Sequence, residues 1–368
     1  MTENLLCIGT KKGLFLARSR DRKNWVLDED PYFPMSAVYA TAIDLRGGRP
    51  RVFASVDHPV FGPAVLHSDD LGRTWSEATE KGIRFPEGYD ASVERVWQLR
   101  PDEADRPGVV WAGAEPSSLW RSEDGGETFA LVEALWNHPH RPEWQPGFGG
   151  QAIHTIIPDR DDPRTVVVAM STGGVYRTED GGRSWHPSNA GIRAAFMPEG
   201  QQYPEFGQCV HKIAADAERR DRFYLQNHGG VYRSDDGGRS WSSIAEGLPA
   251  DFGFAVAAHP RRGGTVFLFP LQADIDRFPA GRHCRVYRSR DAGGSWQPLT
   301  EGLPDEPDFG IVLRDALCVD NADAAGVAGV YFGNRSGEVY ASPDEGDHWV
   351  GVASHLPDVL CVRAAVLS

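Results

Sequence analysis

No run of eighteen apolar residues occurs in the 368-residue chain, so no helix is expected to cross a membrane. Cysteine is scarce: Cys7, Cys209, Cys284, Cys318 and Cys361 are five, an odd number, with no C-x-x-C pair. This argues against a disulfide framework and a zinc-ribbon spacing, and the five read as reduced thiols. The first residues, MTENLLCIGTKKG, lack the basic and apolar regions of a secretory leader; with the thiols, that points to a cytoplasmic protein. Positive charge is in deficit. Lys and Arg number 38 against 52 Asp and Glu, for a formal net charge of −14, so neither nucleic acid nor a membrane surface is an expected partner. There is no G-x-S-x-G nucleophile elbow. The glycine pairs fall in β turns rather than at strand-to-helix junctions, which excludes a phosphate-binding loop.

What the chain does contain is a repeat. Segments 173–185 (GGVYRTEDGGRSW) and 229–241 (GGVYRSDDGGRSW) agree at 11 of 13 positions. Their core, S/T-x-D-x-G-x-x-W/F, recurs at 68–75, 122–129, 178–185, 234–241, 289–296 and 342–349, with a shortened copy at 19–25. The key aspartates, Asp21, Asp70, Asp124, Asp180, Asp236, Asp291 and Asp344, are separated by 49, 54, 56, 56, 55 and 53 residues. Each copy sits between β-like runs; in one unit these are VHKIAAD, RFYLQN, GVYRS and SWSSI. Four short strands per unit of about 50 residues describe a propeller blade. The box reads as the turn joining the third and fourth strands. Its Asp accepts backbone N–H bonds, its Gly supplies a conformation that a side chain resists, and its aromatic ring packs on the blade.

The boxes resemble the Asp-box repeats, also called bacterial neuraminidase repeats, of sialidases, some xyloglucanases, the sortilin family and a photosystem assembly factor. The resemblance covers the whole chain. It implies a sialidase-like propeller and a glycosidase-like hydrolase or lyase acting on a small polar ligand such as a carbohydrate. The alternative is a non-catalytic ligand-binding or scaffold propeller. A true sialidase is not implied. The F/Y-R-I-P-type arginine motif of those enzymes is absent, and IRFP at 83–86 only looks similar and lies between blades. Nor is a long glucan implied: the xyloglucanases face two propellers across a cleft, whereas this length suits one.

The first unit supplies only three strands, LLCIGT, LFLARS and WVLDE, while VLCVRAAVL at 359–367 is a spare strand at the other end. The expectation is one all-β domain over 1–368: a seven-bladed propeller of four-stranded antiparallel blades, with the C-terminal strand closing blade 1. Cys7 and Cys361 then lie on neighbouring strands as two small buried thiols.

In this topology the Asp boxes mark the bottom, and the loops at the top surround the channel mouth, where propeller sites gather. Aligning ERVWQL, HTIIPD, HKIAAD and DALCVD places Glu94, His154, His211 and Asp315 at one repeat position, with Tyr39 and Phe254 there in two other blades. These four are the candidate catalytic residues, as an acid/base set. They are equally candidate ligands for a divalent metal, and the third reading is a solvated polar funnel without chemistry. His228, Asn227, Arg314, Arg335 and Trp144 are candidate ligand-binding residues, with Glu115, Asp57, His58, Asn334 and Arg95 nearby. Long top loops at 134–151, 191–208 and 271–284 carry Trp136, Trp144, Phe148, Phe196, Tyr203 and Phe206, which either wall a pocket or pack on the rim. Nothing in the sequence names a substrate, a cofactor or an oligomeric state.

Overall fold

The computed structural model describes residues 3–77, 82–147, 150–272 and 275–367. Seven antiparallel sheets of four strands form the blades. Their inner strands are β4 (Ala37–Asp44), β8 (Arg95–Pro101), β12 (Ile153–Pro158), β16 (Val210–Ala215), β20 (Phe252–Ala258), β24 (Leu317–Val319) and, for blade 1, β28 (Val359–Leu367). β28 pairs with β1 (Glu3–Thr10), from Glu3↔Leu367 to Thr10↔Val359, so the last strand closes the first blade. Closure removes the two open edges that an incomplete ring would carry. Cys7 and Cys361 sit on these paired strands, and all five cysteines are free and buried.

Burial follows position in the blade. The second strand of blade 4, β13 (Val166–Met170), is buried at all five residues because neighbouring blades cover both its faces. The outermost strands are two to four residues long and largely exposed, as at Ser76–Glu77 and Ser242–Ser243. The apolar residues that meet between blades form a series of clusters around the ring, for example Val167, Ile213, Leu225 and Trp241 between blades 4 and 5.

The boxes are turns. In blade 5, Asp236 accepts from Ser234 Oγ (2.7 Å), the Arg239 and Ser240 amides (2.9 Å each) and Ser240 Oγ (2.6 Å). The shortened copy builds the same turn, Asp21 accepting from the amides of Lys23 and Asn24. Gly72 needs its lack of a side chain: its φ is +95°, and a Cβ there would lie 2.3 Å from Leu16 Cδ1. Trp241 is buried, its Nε1 donating to Ser188 O at 2.9 Å.

Candidate functional site

The inner strands carry a β-bulge near their top ends, between Val38 and Ala40, Val96 and Gln98, Ile153 and Thr155, and Val210 and Lys212. The extra residues are Tyr39, Trp97, His154 and His211. Glu94 therefore does not share the repeat position of the histidines: Trp97 holds it, and Glu94 lies three residues earlier, ahead of β8. A bulge puts two residues opposite one and re-aims both side chains.

His154 and His211 are each 1% exposed. His154 Nε2 pairs with Ser171 Oγ at 3.1 Å, and His211 Nδ1 meets Gly253 O of the next blade at 2.6 Å. Burial, reinforced by the Arg314 charge, holds both imidazoles well below the usual histidine range, so they are neutral. Asp315 is also buried; it receives Lys212 Nζ and Arg363 Nη2, each at 2.8 Å. Lys212 reaches across the channel to Gln98 Oε1 (2.5 Å) and His154 O (2.9 Å) as well. Above it Arg314 bridges to Ser171 Oγ (3.3 Å), with its guanidinium 5.8 Å from Trp97 and 5.3 Å from Phe254. These cations and Asp315 plug the upper channel. Below the plug a cavity of about 620 Å³ opens towards the Asp-box face, lined by Arg46, Arg100, Arg160 and the inner strands.

The expected four-residue set is thus divided. Asp315 belongs to the plug, and Glu94 stands outside it with a side chain 59% exposed. Around Glu94 a different group assembles. Arg95 pairs with Glu115 Oε2 at 2.9 Å, Asp57 Oδ2 at 3.7 Å and Glu94 Oε2 at 3.9 Å. Glu115 Oε2 also accepts from Trp97 Nε1 at 2.9 Å. The Tyr39 and Trp97 rings lie 5.0 Å apart, with Arg95 5.7 Å from the tyrosine. Burial pushes the Asp57 carboxyl upwards against the pull of Arg95 and Lys11. These residues come from the tops of blades 2 and 3, and the two rings are the extra residues of neighbouring bulges. Counting back from the inner-strand aspartates Asp102 and Asp159 aligns WQLRPD with HTIIPD, and that register finds Trp97.

The other candidates scatter. Asn227 is buried, its amide donating to Arg193 O. Trp144 is buried with Nε1 on Tyr176 OH at 3.0 Å. Arg335 pairs with Asp358 at 2.7 Å on the surface. His228 lies beside His211, the ring centroids 5.5 Å apart. Two further long-loop aromatics pack onto the rim: Trp136 on Phe85 at 4.4 Å and Phe206 on His140 at 4.0 Å. Phe196 and Tyr203 stay exposed, and Phe148 lies outside the described residues.

No protein-family profile matches the chain. A xyloglucanase of Paenibacillus sp is 25% identical over 229 residues, 58% of this chain and 21% of that protein. An oligoxyloglucan-reducing end-specific xyloglucanase of Emericella nidulans is 23% identical over 337 residues, 79% of this chain and 39% of that protein. An ancestral GH74 enzyme superposes with a TM-score of 0.60 at 18% identity, over 86% of this chain and 38% of that one. The protein is a seven-bladed propeller with xyloglucanase neighbours, and it spans well under half the length of the curated relatives it matches.

Proposed function

We propose that this chain is a glycosidase-like propeller that binds a carbohydrate at the upper channel mouth, between blades 2 and 3. The observation that carries the reading is the convergence of Asp57, Glu94 and Glu115 on Arg95 beside the Tyr39–Trp97 ring pair. Glycoside hydrolysis needs one carboxyl that holds a proton and another that is ionised. Burial favours the protonated form of Asp57, which suits the general acid. Glu94, exposed and near Arg95, suits the base. Glu115 ties Arg95 and Trp97 together and so orients both. The two rings, inclined at 53° to each other, offer aromatic surface for a sugar face. The xyloglucanase relatives support the substrate class, and the turn motifs support a place among the Asp-box, sialidase-like propellers. Five unbridged buried thiols support a reducing, cytoplasmic setting, where the substrate is a short oligosaccharide rather than a wall polymer.

The test is incubation with xyloglucan oligosaccharides labelled at the reducing end, with products separated by chromatography and binding followed by calorimetry. Asp57→Asn and Glu94→Gln should each lower turnover by about 10²-fold or more, while Trp97→Ala should weaken binding. Unchanged turnover in both carboxylate variants would refute the assignment. Binding without turnover by the native protein would replace it with the non-catalytic reading.

A further inference from the structure

Cys209, His211 and His228 meet at the top of blade 5, away from the carboxylates around Arg95. Cys209 and His211 open the inner strand, and His228 comes from the minimal top loop (Asn227–Gly230) of the same blade. The ligating atoms of the three all lie within 4.8 Å of one another. Cys209 Sγ is 3.6 Å from His211 Nε2. A tetrahedral ion with Zn–S of about 2.3 Å and Zn–N of about 2.05 Å would hold its sulfur and nitrogen about 3.6 Å apart. That edge is therefore already in place.

The tautomer fits as well. His211 Nδ1 faces the Gly253 carbonyl at 2.6 Å, so the proton belongs on Nδ1 and the Nε2 lone pair points at Cys209. A backbone carbonyl that orients a ligating imidazole in this way is a recurrent feature of metal sites. Aromatic rings flank the site, and the Arg314 and Arg277 guanidiniums lie beyond Phe254, at 5.3 and 5.8 Å from its ring. Phe252 lies 5.1 Å from the His228 ring, Phe254 lies 4.7 Å from the His211 ring, and Phe196 of the 191–208 loop stands 6.3 Å from His228.

We infer that Cys209, His211 and His228 form a binding site for a thiophilic divalent metal ion of the zinc class, with its fourth coordination position open to the channel mouth. Binding breaks the Cys209 S–H bond and forms a metal–sulfur bond; the proton leaves to solvent, and two neutral imidazoles complete the protein ligands. This set differs from the His154, His211, Glu94 and Asp315 group, which the fold does not gather. An ion here would also fix the upper end of β16 against the 227–230 loop.

The experiment uses the full chain, stripped with a chelator and titrated with Co²⁺ and then Zn²⁺. Co²⁺ should bind at one equivalent, with a thiolate-to-metal charge-transfer band and the visible bands of a tetrahedral ion. Zn²⁺ should displace it. Cys209→Ser should abolish the charge-transfer band, and His228→Asn, which removes a direct ligand, should weaken Zn²⁺ affinity by at least the ~10- to 100-fold that loss of an outer-shell partner costs. X-ray absorption on the zinc form of the native protein serves if the serine variant fails to fold; it should show one sulfur at about 2.3 Å and two imidazole nitrogens. Absence of stoichiometric binding, a charge-transfer band that survives Cys209→Ser, or a zinc shell of nitrogen and oxygen only would each overturn the assignment.

Discussion

His154 and His211 should make the propeller sensitive to mild acid. Both are buried and neutral, with burial the main cause and Arg314 the next. In the unfolded chain each returns to an ordinary value of about 6.5. The sign follows from linkage: below about pH 6.5 the unfolded chain takes up protons that the folded chain refuses, so stability present above that pH is lost as pH falls. One unit below the unfolded value, each histidine costs RT ln 11, about 1.4 kcal/mol, so the pair costs about 2.8 kcal/mol at pH 5.5. His67, His138 and His259 are also depressed by burial and add to the loss, whereas His348, raised by its hydrogen bond to Asp344, opposes it. These four are unchanged in a His154→Asn/His211→Asn variant, so comparison with that variant isolates the pair. Asp70, held down to about 2 chiefly by its bond with Thr74, titrates outside the window. The assay is urea unfolding followed by tryptophan fluorescence at pH 7.5 and 5.5, with chelator present. The native chain should lose about 2–3 kcal/mol more than the variant between the two pH values. A difference below about 0.7 kcal/mol would refute the argument that both rings are held neutral.

Removing residues 358–368 should open blade 1 and abolish cooperative thermal unfolding in calorimetry, because seven residues of β28 are buried against their neighbours. Asp236→Ala should cost about 1–3 kcal/mol in chemical denaturation by leaving turn donors unpaired, and Trp241→Ala about 3–5 kcal/mol. Neither change should alter carbohydrate affinity measured by calorimetry, since the boxes lie on the opposite face. Asp315→Asn should cost about 3–5 kcal/mol by leaving Lys212 and Arg363 without a carboxylate. Lys212→Met should cost less in the same denaturation assay, because Arg363 still pairs with Asp315.

The ring and its closure were legible because six of the seven boxes repeat a local instruction, Ser or Thr, Asp, Gly and Trp or Phe at fixed offsets, that builds one turn. The missing strand at the start and VLCVRAAVL at the end then required each other. The upper channel was less legible. Strand alternation predicts facing direction only while the register is regular, and the bulge at Tyr39, Trp97, His154 and His211 breaks it at the very residues of interest. Aligning Glu94 with His154 misses the register by three positions, whereas the aspartates at the strand ends, Asp102 and Asp159, give it. Asp315 occupies the expected repeat position, yet its environment depends on Lys212 and Arg363, which arrive from other blades and leave no local signal. The pairing of Cys209 with His228 likewise needs the top loop to fold back over the strand.

The bulges also explain why the mouth divides into regions with different chemistry. In blade 5 the extra residue, His211, turns towards the next blade, and the residue after it, Lys212, turns into the channel. In blade 3 the same pair is Trp97 at the rim and Gln98, which receives Lys212 from across the channel. Lys212 and its acceptor Gln98 thus follow bulges, whereas Asp315 holds the repeat position of the bulged residues and Arg363 comes from β28. What each rim sector can do depends on the loops above it. In blades 2 and 3 the bulged rings meet Asp57, Glu94 and Glu115 at one arginine. In blade 5 the bulged imidazole meets a thiol and a second imidazole. Both sectors lie above the plug, so a ligand at either reaches it from the top face, and the cavity below the plug is entered from the Asp-box side.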